Sequence, residues 1–153
     1  MRLFEILSTP VTRFHSEALV AILEAKKGTF TPQPTQPADN VKIRKSSIFD
    51  KSLGKVQSVP GIDAKLKEFI LAKSKSPHEK FNAKDNHFTH CNFKGLSHAH
   101  LTPDLSVVYR MTSGDPPTLD LYGVFSHDDL GTGQPTSFRT QQSMAKKFGN
   151  QAF

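Results

Sequence analysis

The residues best equipped for chemistry in this 153-residue chain are its histidines: there are seven, and five of them, His87, His90, His98, His100 and His127, fall within one stretch of 41 residues. An imidazole titrates near pH ~6.5, so a pair of them can hold one neutral base and one protonated acid at neutral pH. Metal-free cleavage of RNA needs that combination. One group takes the proton from a ribose 2'-hydroxyl, the other gives a proton to the departing 5'-oxygen, and nearby cations stabilise the charge that builds on the phosphate. The product of such a reaction is a 2',3'-cyclic phosphate.

Positioning these groups requires a sheet. His98 and His100 are two residues apart, which puts them on the same side of a strand. Pro103 then bends the chain and pushes Thr102 out of helical geometry, so Asp104 starts the next strand near the end of the one that carries His100. Leu105, Val107, Tyr109 and Met111 alternate with Ser106, Val108, Arg110 and Thr112. Ser113-Gly114-Asp115-Pro116-Pro117 supplies a turn, and Leu119, Leu121, Gly123 and Phe125 alternate through the partner strand. His127 lies just beyond that hairpin. Because antiparallel neighbours bring such ends together, His100, Asp104 and His127 are expected on one sheet surface.

Upstream, Val41 to Lys45 reads as a first strand. Ile48, Phe49, Leu53 and Val56 fit one face of a short helix, and Ile62, Leu66, Phe69 and Ile70 give a second helix that ends before Pro77. With another strand expected between Phe93 and Leu101, the order is α+β: a strand, two helices, then an antiparallel meander. Residues 1–40 read as an N-terminal extension, in which Thr9-Pro10 starts a helix and Pro32, Pro34 and Pro37 make a semi-rigid linker after Gly28. Residues 132–153 are polar, with Phe138, Met144 and Phe148 as their main apolar anchors, and are expected to be a flexible tail, with a short docked helix as the alternative.

Composition narrows the function. The net charge of +6 is concentrated in residues 42–94, where twelve basic side chains stand against five acidic ones. Such a surface attracts phosphate backbones, although a solvated lysine-rich helix face has the same composition. The single cysteine, Cys91, excludes an internal disulfide and a thiolate-rich zinc site. No run approaches the roughly 18 apolar residues of a membrane span, and a soluble, cytoplasmic protein with no membrane partner is expected. His87-x-x-His90 and His98-x-His100 with Asp104 contain ligand types that suit zinc. Their spacing matches no zincin helix motif, so neither a metal nor another cofactor is expected.

At these residues the chain resembles the RelE/ParE superfamily of type II toxins, and within it the YafQ-type mRNA interferases. His87-Phe-Thr-His-Cys-Asn-Phe-Lys-Gly95 resembles the family's approach to the sheet, and His100-Leu-Thr-Pro-Asp104 its histidine and proline-aspartate turn. Leu105-Ser-Val-Val-Tyr109-Arg110 resembles the strand ending in tyrosine and a basic residue, and Ser126-His127-Asp-Asp-Leu130 the closing motif. The likeness spans residues 41–131. It implies a RelE-like microbial ribonuclease fold, in which a twisted antiparallel sheet packs against two helices, and an endoribonuclease acting on mRNA on the ribosome and restrained by an antitoxin protein. By the same resemblance His87, His100, Asp104 and His127 are the catalytic candidates, with His127 as proton donor, and Lys94 and Arg110 are candidate phosphate contacts. Two departures stand out: Leu105 occupies a place where family members often carry tryptophan, and Gly131 follows Leu130 where they have an aromatic residue. The alternative these departures raise is a catalytically silent module on the same fold that binds RNA, the ribosome or a protein.

Overall fold

A computed structural model describes residues 41–153 apart from residue 90. The N-terminal helix and proline-rich linker expected over residues 1–40, and His90, lie outside the described residues. The elements are β1 (Lys42–Lys45), α1 (Phe49–Val56), α2 (Ile62–Lys75), β2 (Asn86–His87), a 3-10 turn (Cys91–Phe93), β3 (Ser97–His100), β4 (Leu105–Thr112), β5 (Thr118–Ser126), α3 (His127–Leu130) and α4 (Phe138–Gly149).

The expected α+β order is present, and the strands form one five-stranded sheet in the order β1-β5-β4-β3-β2. β2 through β5 pair antiparallel, whereas β1 joins β5 in parallel, from Lys42 opposite Thr118 to Lys45 opposite Leu121. That pairing joins segments more than 70 residues apart, so local alternation carried no sign of it. A register shift at Val108/Tyr109 adds one residue to β5 and sets Tyr122 against the face opposite Leu121.

Alternation divides the sheet into two faces. Ala99, Val107, Tyr109, Leu119 and Leu121 are buried on the face covered by α2, where Tyr109 packs edge-on against Phe69 with ring centroids 5.1 Å apart. Helix α2 buries Ile62, Leu66, Phe69, Ile70 and Lys73, a stripe of helical period. Helix α1 runs along β5, and past the end of β1 the Ser46 hydroxyl donates to the Tyr122 carbonyl at 2.8 Å and the Ser52 hydroxyl accepts the Val124 amide at 3.0 Å, so side chains pair the strand edge.

The other face overturns one expectation. Residues 138–149 are a docked helix, not part of a flexible tail. Gln141, Met144 and Phe148 are buried at helical spacing, and Met144 and Phe148 join Phe93, Leu96, Val108, Tyr122, Phe125 and Leu130 in one apolar cluster. Burying two such side chains contributes about 1.5–3 kcal/mol each, which outweighs the polar average of the segment. The Gln141 amide fixes the dock by donating to the Gly131 carbonyl at 3.0 Å.

Gly131 makes the turn between α3 and α4. Its φ of 70° is left-handed, and a Cβ there would lie 2.5 Å from the Ser137 carbonyl oxygen and 2.8 Å from Thr140. Gly131→Ala is therefore expected to cost about 1–3 kcal/mol and to loosen α4 first. Hydrogen exchange should show protection lost over residues 138–149 before the sheet, and equal protection in both proteins would contradict the docking described here.

Candidate active site

The end of the meander gathers three imidazoles. His98 and His100 project from β3 on the face that α4 covers, opposite Val108 and Ser106 in β4. His127 opens α3 immediately after β5, because Ser126 ends the strand and caps the helix: its hydroxyl accepts the Asp129 amide at 3.1 Å, and the Asp129 carboxylate accepts the Ser126 amide in return. The ring centroids of His100 and His127 are 5.0 Å apart, and those of His98 and His100 are 5.7 Å apart.

Each ring is held differently. His127 Nδ1 is 3.2 Å from the Thr132 hydroxyl, and the Thr132 amide donates to the His127 carbonyl, so the short loop after α3 closes back on the histidine. His98 stacks on Phe88 at 4.4 Å, and Phe88, Phe93 and Phe148 continue an aromatic line to α4. The tail helix thus supports the rings from behind. His100 is anchored through its backbone, whose carbonyl accepts from the Asn82 side chain at 2.9 Å.

Burial is the largest effect on both β3 histidines and pushes their pKa values below the ordinary value of 6.5. At His98 the nearby His100 and His127 add to the shift. At His100 the further contributions come from His127 and Lys84, partly offset by hydrogen bonds to the backbone of Pro103 and Thr102. A lowered value leaves His100 uncharged at neutral pH, as a proton acceptor must be. Among the described residues no group of three or more His, Cys, Asp and Glu side chains could hold a metal ion.

Of the six residues singled out in the sequence, the fold joins His100 and His127, keeps Asp104 in the turn that follows His100, and sets His87, Lys94 and Arg110 apart. His87 pairs with Ser97 and so stands on the α2 face of the sheet edge, with its Nδ1 2.8 Å from the Ser97 hydroxyl. The cause is register, since its neighbour Asn86 is the residue opposite His98. Asp104 is exposed in the β3–β4 turn and its carboxylate has no hydrogen bond or ion pair among the described residues. The expectation that it shares a surface with the two histidines is met only to the extent that this turn adjoins His100. Lys94 is exposed in the loop before β3.

Arg110 shares the face of His100 but lies four residues along β4 from Ser106, about 13 Å away. It is also engaged: its guanidinium is 3.1 Å from Asp120, a fully buried carboxylate that Arg44 binds in bidentate fashion at 2.7 and 2.9 Å. Sequence reading missed Lys84, Thr132 and Ser106. Lys84 was hidden within a generally basic segment. Thr132 and Ser106 had no signal in their type or spacing and are brought close by chain reversal and strand pairing.

No family model and no curated protein matches the chain. Among solved structures, a toxin from Helicobacter pylori, solved as a copper-bound mutant, is 27% identical over 58% of this chain and 97% of its own, with a TM-score of 0.49. The YoeB/ParE toxin from Agrobacterium tumefaciens is 17% identical over 56% of this chain and 98% of its own, with a TM-score of 0.48. The E. coli DinJ-YafQ toxin-antitoxin complex matches at 22% identity over 60% of this chain and 97% of that one, with a TM-score of 0.50. The α+β fold, a five-stranded sheet with helices, is shared with the E. coli DinJ-YafQ structure.

Proposed function

We propose that this chain is a toxin-type endoribonuclease that cleaves mRNA on the ribosome by general acid and base catalysis, without a metal. The observation that carries the reading is the pair His100 and His127, 5.0 Å apart between ring centroids at the open end of the meander. His100, kept neutral by burial, takes the 2'-hydroxyl proton, and His127 donates to the leaving 5'-oxygen. The bond from phosphorus to the 5'-oxygen breaks as the 2'-oxygen attacks, leaving a 2',3'-cyclic phosphate and a 5'-hydroxyl. Lys84, whose charge reaches His100, supplies positive potential beside the phosphate. Asp104, beside Pro103 at the same strand end, is assigned to a ribose hydroxyl, and Lys94 to flanking phosphate.

His87 is less well placed for proton transfer, since it stands on the other face of β2, and we assign it to substrate contact at the sheet edge. The E. coli complex in the same fold supports a cognate antitoxin as partner. Among the described residues no helix is long and apolar enough to cross a membrane, and the reading places the protein in the cytoplasm.

The test is direct. Purified protein should cleave RNA, or mRNA on programmed ribosomes, in the presence of EDTA, and the products should carry cyclic phosphate ends. The placement of His87 on the opposite face from the histidine pair favours the second reading, a silent binding module. Salt-sensitive RNA binding without any cyclic-phosphate product on either substrate would establish that module in place of the enzyme.

A further inference from the structure

A cleft of about 530 Å³ lies between α1 and α4, along the part of β5 that β1 leaves uncovered. Its floor includes Val124, Phe125 and Met144. Its rims carry Lys51 and Lys55 from α1 and Arg139 and Lys147 from α4. All four cations are exposed, and among the described residues none is in an ion pair. The one acid at the cleft, Asp129, is committed to the α3 cap, where one carboxylate oxygen accepts from the Ser126 amide and hydroxyl. Four like charges facing one slot repel each other unless an anion joins them.

Their spacing describes the anion. Lys51 and Lys55 are four residues apart on α1, and Arg139, Ser143 and Lys147 follow at the same interval on α4, so each helix presents its groups in a row about 6 Å apart along its axis. Two rows of cations across an apolar floor suit a linear polyanion. Phe138 adds a second feature. It is the first residue of α4, directly before Arg139, and is 58% exposed, the largest exposure among the bulky apolar side chains of the described residues. A flat aromatic ring left in solvent one residue before a row of cations is a stacking platform for an unpaired base. An acidic peptide would use the rows and leave the ring unused, whereas a single strand of nucleic acid uses both. The cleft also reaches Asp129, two residues past His127 in the chain.

We propose that the cleft between α1 and α4 is a track for single-stranded RNA, with backbone phosphates on Lys51, Lys55, Arg139 and Lys147 and a base stacked on Phe138. The identity of the ligand rests on the ribonuclease reading; the geometry of the track does not.

Binding can be followed without cleavage, by fluorescence anisotropy of the full chain with a short labelled oligoribonucleotide whose 2'-hydroxyls are methylated. The variant Lys51→Gln/Lys55→Gln/Arg139→Gln/Lys147→Gln should lower the slope of log affinity against log salt by about 3, four contacts at roughly 0.7 each. Phe138→Ala should weaken binding roughly 5- to 150-fold with the slope unchanged. Lys65→Gln/Lys75→Gln, which removes two exposed charges from α2, should leave the slope as it is. Circular dichroism of each variant confirms that the fold is kept, since every position changed is exposed. An unchanged slope in the four-charge variant overturns the track, and an unchanged affinity in Phe138→Ala overturns the stacking. Displacement of the oligonucleotide by polyglutamate of equal charge and concentration overturns RNA in favour of an acidic protein. Failure here with EDTA-resistant cleavage intact leaves the enzyme standing; a working track with no cleavage product removes the enzyme and keeps the track.

Discussion

Alanine at His127 is expected to lower the rate of RNA cleavage by about 10²- to 10⁴-fold, the usual contribution of a positioned proton-transfer group. The fold should survive, because the ring is partly exposed and its side-chain hydrogen bond to Thr132 is worth only about 1 kcal/mol. The same loss is expected for His100→Ala. The base and the acid act together in one displacement, so their losses do not add and the double variant should be little slower than either single one. The pH profile separates their roles. His100 acts when neutral, and burial together with the charges of His127 and Lys84 lowers its pKa; as pH falls, activity should persist until a limb below pH ~6.5 and then decline as His100 gains its proton. Removing His127 removes one of the groups that depress His100, so the residual activity of His127→Ala should show that acid limb displaced to higher pH. Undiminished cleavage by His127→Ala would remove the assignment, and an acid limb that stays in place would reassign the base to another group.

The hairpin and the two N-terminal helices were legible because their signals are local. Strands β4 and β5 alternate cleanly around a turn rich in proline and glycine, and Leu66, Phe69 and Ile70 repeat with helical period. The meeting of His100 and His127 followed from that hairpin, since antiparallel pairing fixes which ends adjoin. What stayed hidden depends on contacts distant in sequence. The parallel pairing of β1 is set by packing across more than 70 residues, and the docking of α4 depends on an apolar patch, Val108, Tyr122 and Phe125, that exists only once β4 and β5 have paired with the shift at Tyr122. His87 shows the limit most plainly. Its spacing to His98 and His100 invited grouping, and a one-residue register choice in a two-residue strand put it on the other face.

Asp85→Ala is expected to destabilise the protein by about 3–5 kcal/mol, a large part of the 5–15 kcal/mol that usually separates folded from unfolded chains. Asp85 is 3% exposed and receives three partners: Lys73 Nζ at 2.7 Å, the Tyr109 hydroxyl at 2.6 Å and the Phe81 amide at 2.7 Å. Lys73 is equally buried, and its ammonium also donates to the Glu79 carbonyl at 2.5 Å. Burial, and next the bond to Asp85, raises the Tyr109 pKa so far that the phenol stays protonated and remains a donor. Removing the carboxylate leaves a lysine charge under α2 with only the Glu79 carbonyl and the face of the Tyr109 ring, 5.1 Å away, to offset it, and that stranded charge, more than the lost bonds, makes the change expensive. Thermal unfolding should therefore fall by something on the order of 12–40 °C. The second variant makes the cause testable: Lys73→Met in the Asp85→Ala background removes the stranded charge and should recover most of the loss, even though it deletes a further native side chain. If the double variant is no more stable than Asp85→Ala, the cost lies in the hydrogen bonds to Tyr109 and Phe81, and the segment from Phe81 to His87, with Ser97 and Tyr109 behind it, is held in place by those bonds and not by the ion pair.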